Sequence, residues 1–178
     1  IPGTTSNSIT TQQYIHNFYI LKGNYDRYFK INKRFTLGLM AEGVFSNKKP
    51  FSNYVSTILS APSFNPIPHS KTIYLNNFHA SKYVASGIKG IFKLSDGLHL
   101  RAEVYGFAPV NEINETSNYM AVYSDKTFST VNFMGSGALV FQSAIGPICF
   151  SVNYYEKSQT KFFAMLNVGY ILFNRKGY

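Results

Sequence analysis

Four histidines, His16, His69, His79 and His99, and one cysteine, Cys149, have the widest chemical repertoire in the chain. The histidines fall at no metal-ligand spacing and no H-E-x-x-H occurs, so neither a metal site nor a cofactor is expected. A lone cysteine excludes an internal disulfide and a cysteine-based zinc cluster. Two short motifs touch on hydrolase chemistry. Gly135-Ser136-Gly137 lacks the flanking spacing of a nucleophile elbow, and its glycines suit strand packing and bending. Asp96-Gly97 is followed by Leu98 and reads as the turn between two strands, not as a catalytic aspartate. Asn114-Glu115-Thr116 matches a glycosylation sequon by chance. The residues that could act together are Glu42, Lys89, His99, Arg101 and Glu103, because all five phase to the polar side of their segments. In a barrel that side is the lumen, where opposing charges either line a passage or pair to close it. Pairing into a structural network is the favoured reading, and no catalytic residue is assigned.

These side chains are positioned by segments of about ten residues with a period of two, separated by turn residues, the pattern of half-polar β-strands. From Leu98 to Ala108, one set is Leu98, Leu100, Ala102, Val104, Gly106 and Ala108; the other is His99, Arg101, Glu103, Tyr105 and Phe107. In Phe35 to Phe45, Thr36, Gly38, Met40, Glu42 and Val44 oppose an apolar set that includes Leu37, Leu39 and Phe45. Strands are expected near 11–29, 35–46, 82–94, 98–108, 131–143, 148–156 and 162–173. The first is the least regular, with Tyr19, Leu21 and Tyr25 facing away from Lys22, Asn24 and Asp26. Short turns alternate with long outer loops at 47–81 and 109–130; only 156–161 is short on the long-loop side. The first long loop has room for a helical turn near 52–59 but for no further strand.

Composition points the same way. Charged residues make up only 14% of the chain, against roughly 25% in a typical soluble domain, which leaves little charge to coat a surface in water. The 14 Tyr and 16 Phe cluster at strand ends. Phe162 and Phe163 stand about ten residues from Tyr170 and Phe173, which at ~3.3 Å per residue and a tilt of ~40° spans roughly 25 Å, the height of a membrane barrel's apolar band. Tyr154, Tyr155 and Phe45 are expected at the outer level of that band, and Tyr28, Phe29 and Phe35 at the inner one. A net charge of +9 invites a nucleic-acid reading, but the basic residues come in ones, twos and threes at chain reversals and form no stripe. They read as loop and interfacial charges, with Lys48, Lys49, Arg175 and Lys176 able to meet anionic lipid headgroups. No stretch approaches 18 apolar residues, so no transmembrane helix is expected. No leader precedes Ile1, so the chain reads as a mature or truncated product. Seven antiparallel strands cannot close without a parallel seam. Either the first dozen residues add an eighth strand or the chain belongs to a larger barrel, and the polar opening with Pro2 and Gly3 favours the larger barrel.

The run from Gly135 to Ile148, GSGALVFQSAIGPI, resembles the penultimate-hairpin signature of surface-antigen-type outer-membrane barrels, a sixteen-stranded superfamily of assembly factors and translocators. The ending Asn167-Val168-Gly169-Tyr170-Ile171-Leu172-Phe173 resembles the C-terminal signal read during barrel insertion. Segments such as Gly23 to Phe29, Phe35 to Gly38, Glu42 to Asn47 and Gly169 to Arg175 look like the barrel portion of Bacteroidota patatin-like phospholipases, over nearly the whole chain from about Tyr19. The resemblance implies an all-β, antiparallel transmembrane segment, about seven strands of a sixteen-stranded barrel in the bacterial outer membrane. It serves as anchor or translocator for a catalytic patatin domain upstream. The implied partners are outer-membrane lipid, the barrel-assembly machinery and the upstream strands; nucleic acid is not among them. The implied insertion signal is Asn167, Gly169, Tyr170, Leu172 and Phe173. The superfamily's long loop often carries an Arg-Gly-aromatic tip folded into the lumen, whereas here Leu75-Asn76-Asn77-Phe78-His79 has no arginine. The alternatives are a free-standing small porin or ligand-binding barrel and, more remotely, a soluble basic β-domain that binds nucleic acid.

Overall fold

The computed structural model describes residues 17–143 and 146–169. Seven strands form one antiparallel sheet: β1 (Ile20–Lys30), β2 (Phe35–Ser46), β3 (Lys82–Ser95), β4 (Leu98–Pro109), β7 (Asn132–Ser143), β8 (Gly146–Tyr155) and β9 (Phe162–Val168), in the spatial order β1-β2-β3-β4-β7-β8-β9. Each strand of this sheet thus pairs with the next sheet strand along the chain, across short turns and long loops alike. The sheet does not close. Among the described residues β1 and β9 each pair on one side only.

The first strand begins at Ile20, not at residue 11. Residues 17–19 lie outside it and 1–16 outside the described residues. The helix expected near 52–59 is α1 (Tyr54–Ser60), started by Asn53, whose side chain accepts from the Ser56 N–H. The second long loop holds an unexpected hairpin, β5 (Ile113–Glu115) and β6 (Ala121–Tyr123). Three-residue strands are too short for a two-residue period to register in the sequence.

The period of two has split the sheet into two unlike faces. On the bare face Leu39, Phe45, Val84, Ile88, Leu100, Val104, Leu139 and Phe150 are exposed. On the other, Met40, Glu42, Val44, Tyr83, Lys89, Glu103, Tyr105, Met134, Asn153 and Tyr155 are buried. What buries this covered face is residues 47–81. Phe64, Ile67, Leu75, Phe78 and Ala80 pack with Tyr83, Tyr105, Phe107 and Tyr155 into the main hydrophobic core. Phe64 meets three of these rings at 5.9 to 6.2 Å. Burial of a Phe, Leu or Ile side chain contributes about 1.5–3 kcal/mol, and Phe64, Ile67, Leu75 and Phe78 are the points at which this loop is held to the sheet.

The aromatic residues expected at the two levels divide between the two faces of the sheet. Adjacent side chains of a strand point to opposite faces, so a pair such as Tyr154 and Tyr155 cannot both face outward. Tyr155 is fully buried on the covered face, where Phe163 packs edge-on against it and Tyr28 lies under Lys89. Phe45 and Phe162 remain on the bare face, and Phe162 meets the Tyr154 ring at 5.1 Å.

Candidate functional site

The register carries one ladder row across all seven strands: Tyr28, Gly38, Lys89, Glu103, Ser136, Asn153 and Phe163. Two of the five charged candidates, Lys89 and Glu103, are therefore direct cross-strand partners in this row. Each nonetheless finds its ion-pair partner elsewhere. Lys89 pairs with Asp26 and lies 5.3 Å from the Tyr28 ring. Glu103 accepts from the Arg101 Nε and from the Tyr105 hydroxyl at 2.9 Å. Glu42, closer to the long loops, accepts from the Tyr83 hydroxyl at 2.6 Å and from Asn24 Nδ2 at 3.0 Å, and pairs with Lys22 at 2.8 Å. A buried carboxylate is tolerated when its lone pairs are filled in this way.

Gly87 makes this packing possible. The Tyr105 ring lies over it so closely that a Cβ would stand 2.1 Å from the ring. In that position the ring buries its apolar body while its hydroxyl still reaches Glu103. Gly38 plays the same part for Tyr28, whose ring is 2.8 Å from where a Cβ would be.

The hydroxyl of Tyr83 also lies 3.2 Å from the Ser63 carbonyl and so ties the charged network to the loop above. Further along that loop His69 is buried, with Nδ1 3.0 Å from the Tyr155 hydroxyl and its ring 4.9 Å from Phe163; burial pushes its pKa below the ordinary value. His79 donates from Nδ1 to the Leu75 carbonyl at 2.8 Å; burial lowers its pKa too, and this hydrogen bond partly offsets the shift. The Leu75 to His79 stretch thus folds onto the covered face, Phe78 buried in the core, although it lacks the arginine of the resembled loops. Two amide atoms in this region, Asn132 Oδ1 and Asn153 Nδ2, are buried without a partner among the described residues.

His99 and Arg101 are separated from Glu42 by the length of the network. His99 instead lines a cavity of about 460 Å³ at the short-turn end of the sheet, with Lys30, Lys33, Arg34, Lys93 and Ile91. The sequence pattern missed this grouping. Its cations come from one chain reversal and from the ends of three strands, and only the pairing of Lys30 with Thr36 and of Thr36 with Ile91 brings them together. Of the insertion-signal residues, Asn167 pairs with Cys149 on the covered face. Gly169 follows β9 with a φ of 99°, a left-handed conformation that favours glycine. Tyr170, Leu172 and Phe173 lie outside the described residues, as do His16, Arg175 and Lys176.

Nothing in this arrangement forms a nucleophile, base and orienting group. The Ser136 hydroxyl donates to Asn153 Oδ1 at 2.8 Å, and Asp96 pairs with Lys93 at the tip of an exposed turn. Comparison with family models, with curated proteins and with solved structures finds no match to this chain. The geometry is that of an open sheet with one covered, largely charge-paired face and a basic cavity at its short-turn end.

Proposed function

We propose that this chain is the C-terminal, seven-stranded part of a larger outer-membrane β-barrel, the anchor or translocator region of a patatin-like phospholipase, with catalysis residing in a domain upstream. The observation that carries the reading is the distribution over the two faces, one exposed and apolar, the other covered and holding the buried charges Glu42, Lys89 and Glu103 beside its core. An exposed apolar surface larger than a few hundred Å² is rare on soluble monomers. On an antiparallel sheet that alternates apolar-out and polar-in, it suits a lipid-facing wall. Among the described residues the outer edges of β1 and β9 have no partner strand, which supports the partial-barrel reading, since exposed ladders in a membrane must be paired. The upstream strands are the proposed partners. A free-standing small barrel would need β1 to pair with β9, and a nucleic-acid platform would need its aromatic and basic residues on one accessible face.

The test is refolding of the full chain with and without phospholipid vesicles. The expected result is co-sedimentation with vesicles, a strand-rich spectrum and a requirement for detergent or lipid to stay dispersed. A chain that is folded and monodisperse in plain buffer would overturn the membrane assignment. A patatin domain encoded before Ile1 would support the enzymatic context, and its absence would favour the free-standing barrel.

A further inference from the structure

Most charged groups on the covered face are paired, but at the short-turn end they are not. Among the described residues no carboxylate pairs with Lys30, Lys33 or Arg34, and none lines the cavity they share with Lys93 and His99. The nearest compensation is Asp96, which holds Lys93 at 2.7 Å from the exposed turn tip. Like charges gathered around one cavity repel each other, and an anion placed among them relieves that repulsion. The loop that presents them is set in advance. Asn32 Oδ1 accepts from the backbone N–H of Arg34 at 2.8 Å and of Phe35 at 2.7 Å, an Asx turn that fixes the backbone carrying Lys33 and Arg34.

We propose that this basic cavity binds a phosphate-bearing anion, a use that nothing in the anchor reading requires. A guanidinium forks onto two phosphate oxygens while ammonium groups act as point charges, the combination present here. A single carboxylate would need one such partner, and a divalent phosphate can use several. The hollow is open to solvent on one side and has room for a small anion, with Thr36 and Ile91 on its wall. The cations converge on one hollow and do not track along a face, which fits a discrete phosphate group and not a nucleic-acid backbone.

The experiment uses the full chain, in detergent or in buffer according to where it stays dispersed. Inorganic pyrophosphate and glycerol phosphate are titrated calorimetrically, and micelles of short-chain phosphatidylglycerol serve as the lipid arm. Saturable binding in either arm is expected, and the arm that binds more tightly identifies the source of the phosphate. The double variant K33Q/R34Q alters exposed turn side chains only, and is expected to weaken binding at least about tenfold, with an unchanged circular dichroism spectrum. The control K126Q/K157Q alters exposed lysines in two loops at the long-loop end of the sheet, outside the cavity, and is expected to leave binding intact. No saturable binding in either arm, or equal losses in the two double variants, would overturn the proposal.

Discussion

On the bare face Ile88 and Val104 stand side by side, each 59% exposed, while one residue along the same strands Lys89 and Glu103 are 6% and 3% exposed. A water-soluble sheet orders these pairs the other way, because burial favours the apolar pair by about 25 cal/mol per Å² and hydration favours the charged one. The two faces are built from one alternation, and under the lipid-facing proposal the exposed side meets an apolar phase. The covered face then depends on specific partners and the bare face only on being apolar. The two should respond differently to substitution.

The largest contrast is expected from Val104→Arg. On a soluble sheet a substitution at so exposed a position shifts stability by about 0.5 kcal/mol or less. On a wall facing lipid it costs about 2–4 kcal/mol near mid-membrane and blocks insertion. Denaturant titration of refolding into vesicles separates the two, and a neutral result would remove the lipid-facing assignment.

A second contrast uses two glycines with the same substitution. Gly87→Ala drives a methyl into the Tyr105 ring and so disturbs the Glu103 pair; overpacking of this kind costs about 1–3 kcal/mol. Gly137 on the bare face has open space where the Cβ would stand, so Gly137→Ala should be close to neutral. Thermal unfolding of both variants in the same detergent reads the difference. Equal effects would mean that the covered face is not packed as described.

The smallest effect is expected from pH. Burial lowers the pKa of His69 in the folded chain below the ~6.5 of the unfolded one, so the unfolded state binds more protons between those two values. Stability from this group is complete above ~6.5 and is lost as pH falls through that window toward the lower folded pKa. Amide exchange in residues 47–81 should therefore quicken between neutral and mildly acidic pH, and His69→Phe should reduce that dependence, the remainder coming from His79, whose pKa burial also lowers. The bare face carries no such group and should show no change.

The separation of Glu42, Lys89, Arg101 and Glu103 from the apolar set could be read directly from alternation, because a strand's period leaves each residue only two choices. The interior of the plug could not. Phe64, Ile67, Leu75 and Phe78 are spaced without any period, and what fixes them is the shape of the aromatic bed formed by Tyr83, Tyr105 and Phe107. Alternation likewise assigns Tyr154 and Tyr155 to opposite faces, but it could not show that the Tyr155 ring would be covered by His69 and Phe163. The basic cavity was hidden for a different reason. Lys30 and Lys33 are close in sequence to each other but remote from Lys93 and His99, and their meeting depends on register and not on composition.

The small second core above the long-loop rim bears on dynamics. Ile58 of α1 packs with Ile113 and Ala121 of the β5–β6 hairpin, flanked by Tyr54, Ala61 and Tyr123, and this cluster is separate from the main core. A seven-residue helix is shorter than the ~12–15 residues at which isolated helices become even marginal, and two three-residue strands do not hold themselves together. Helix and hairpin therefore persist only as a pair, and should open together as one cooperative unit at a free energy well below that of the sheet. In a hydrogen-exchange experiment the amides of residues 54–60, 113–115 and 121–123 would share one protection factor. They would form a natural reporter for whatever touches the rim while the strands beneath stay silent.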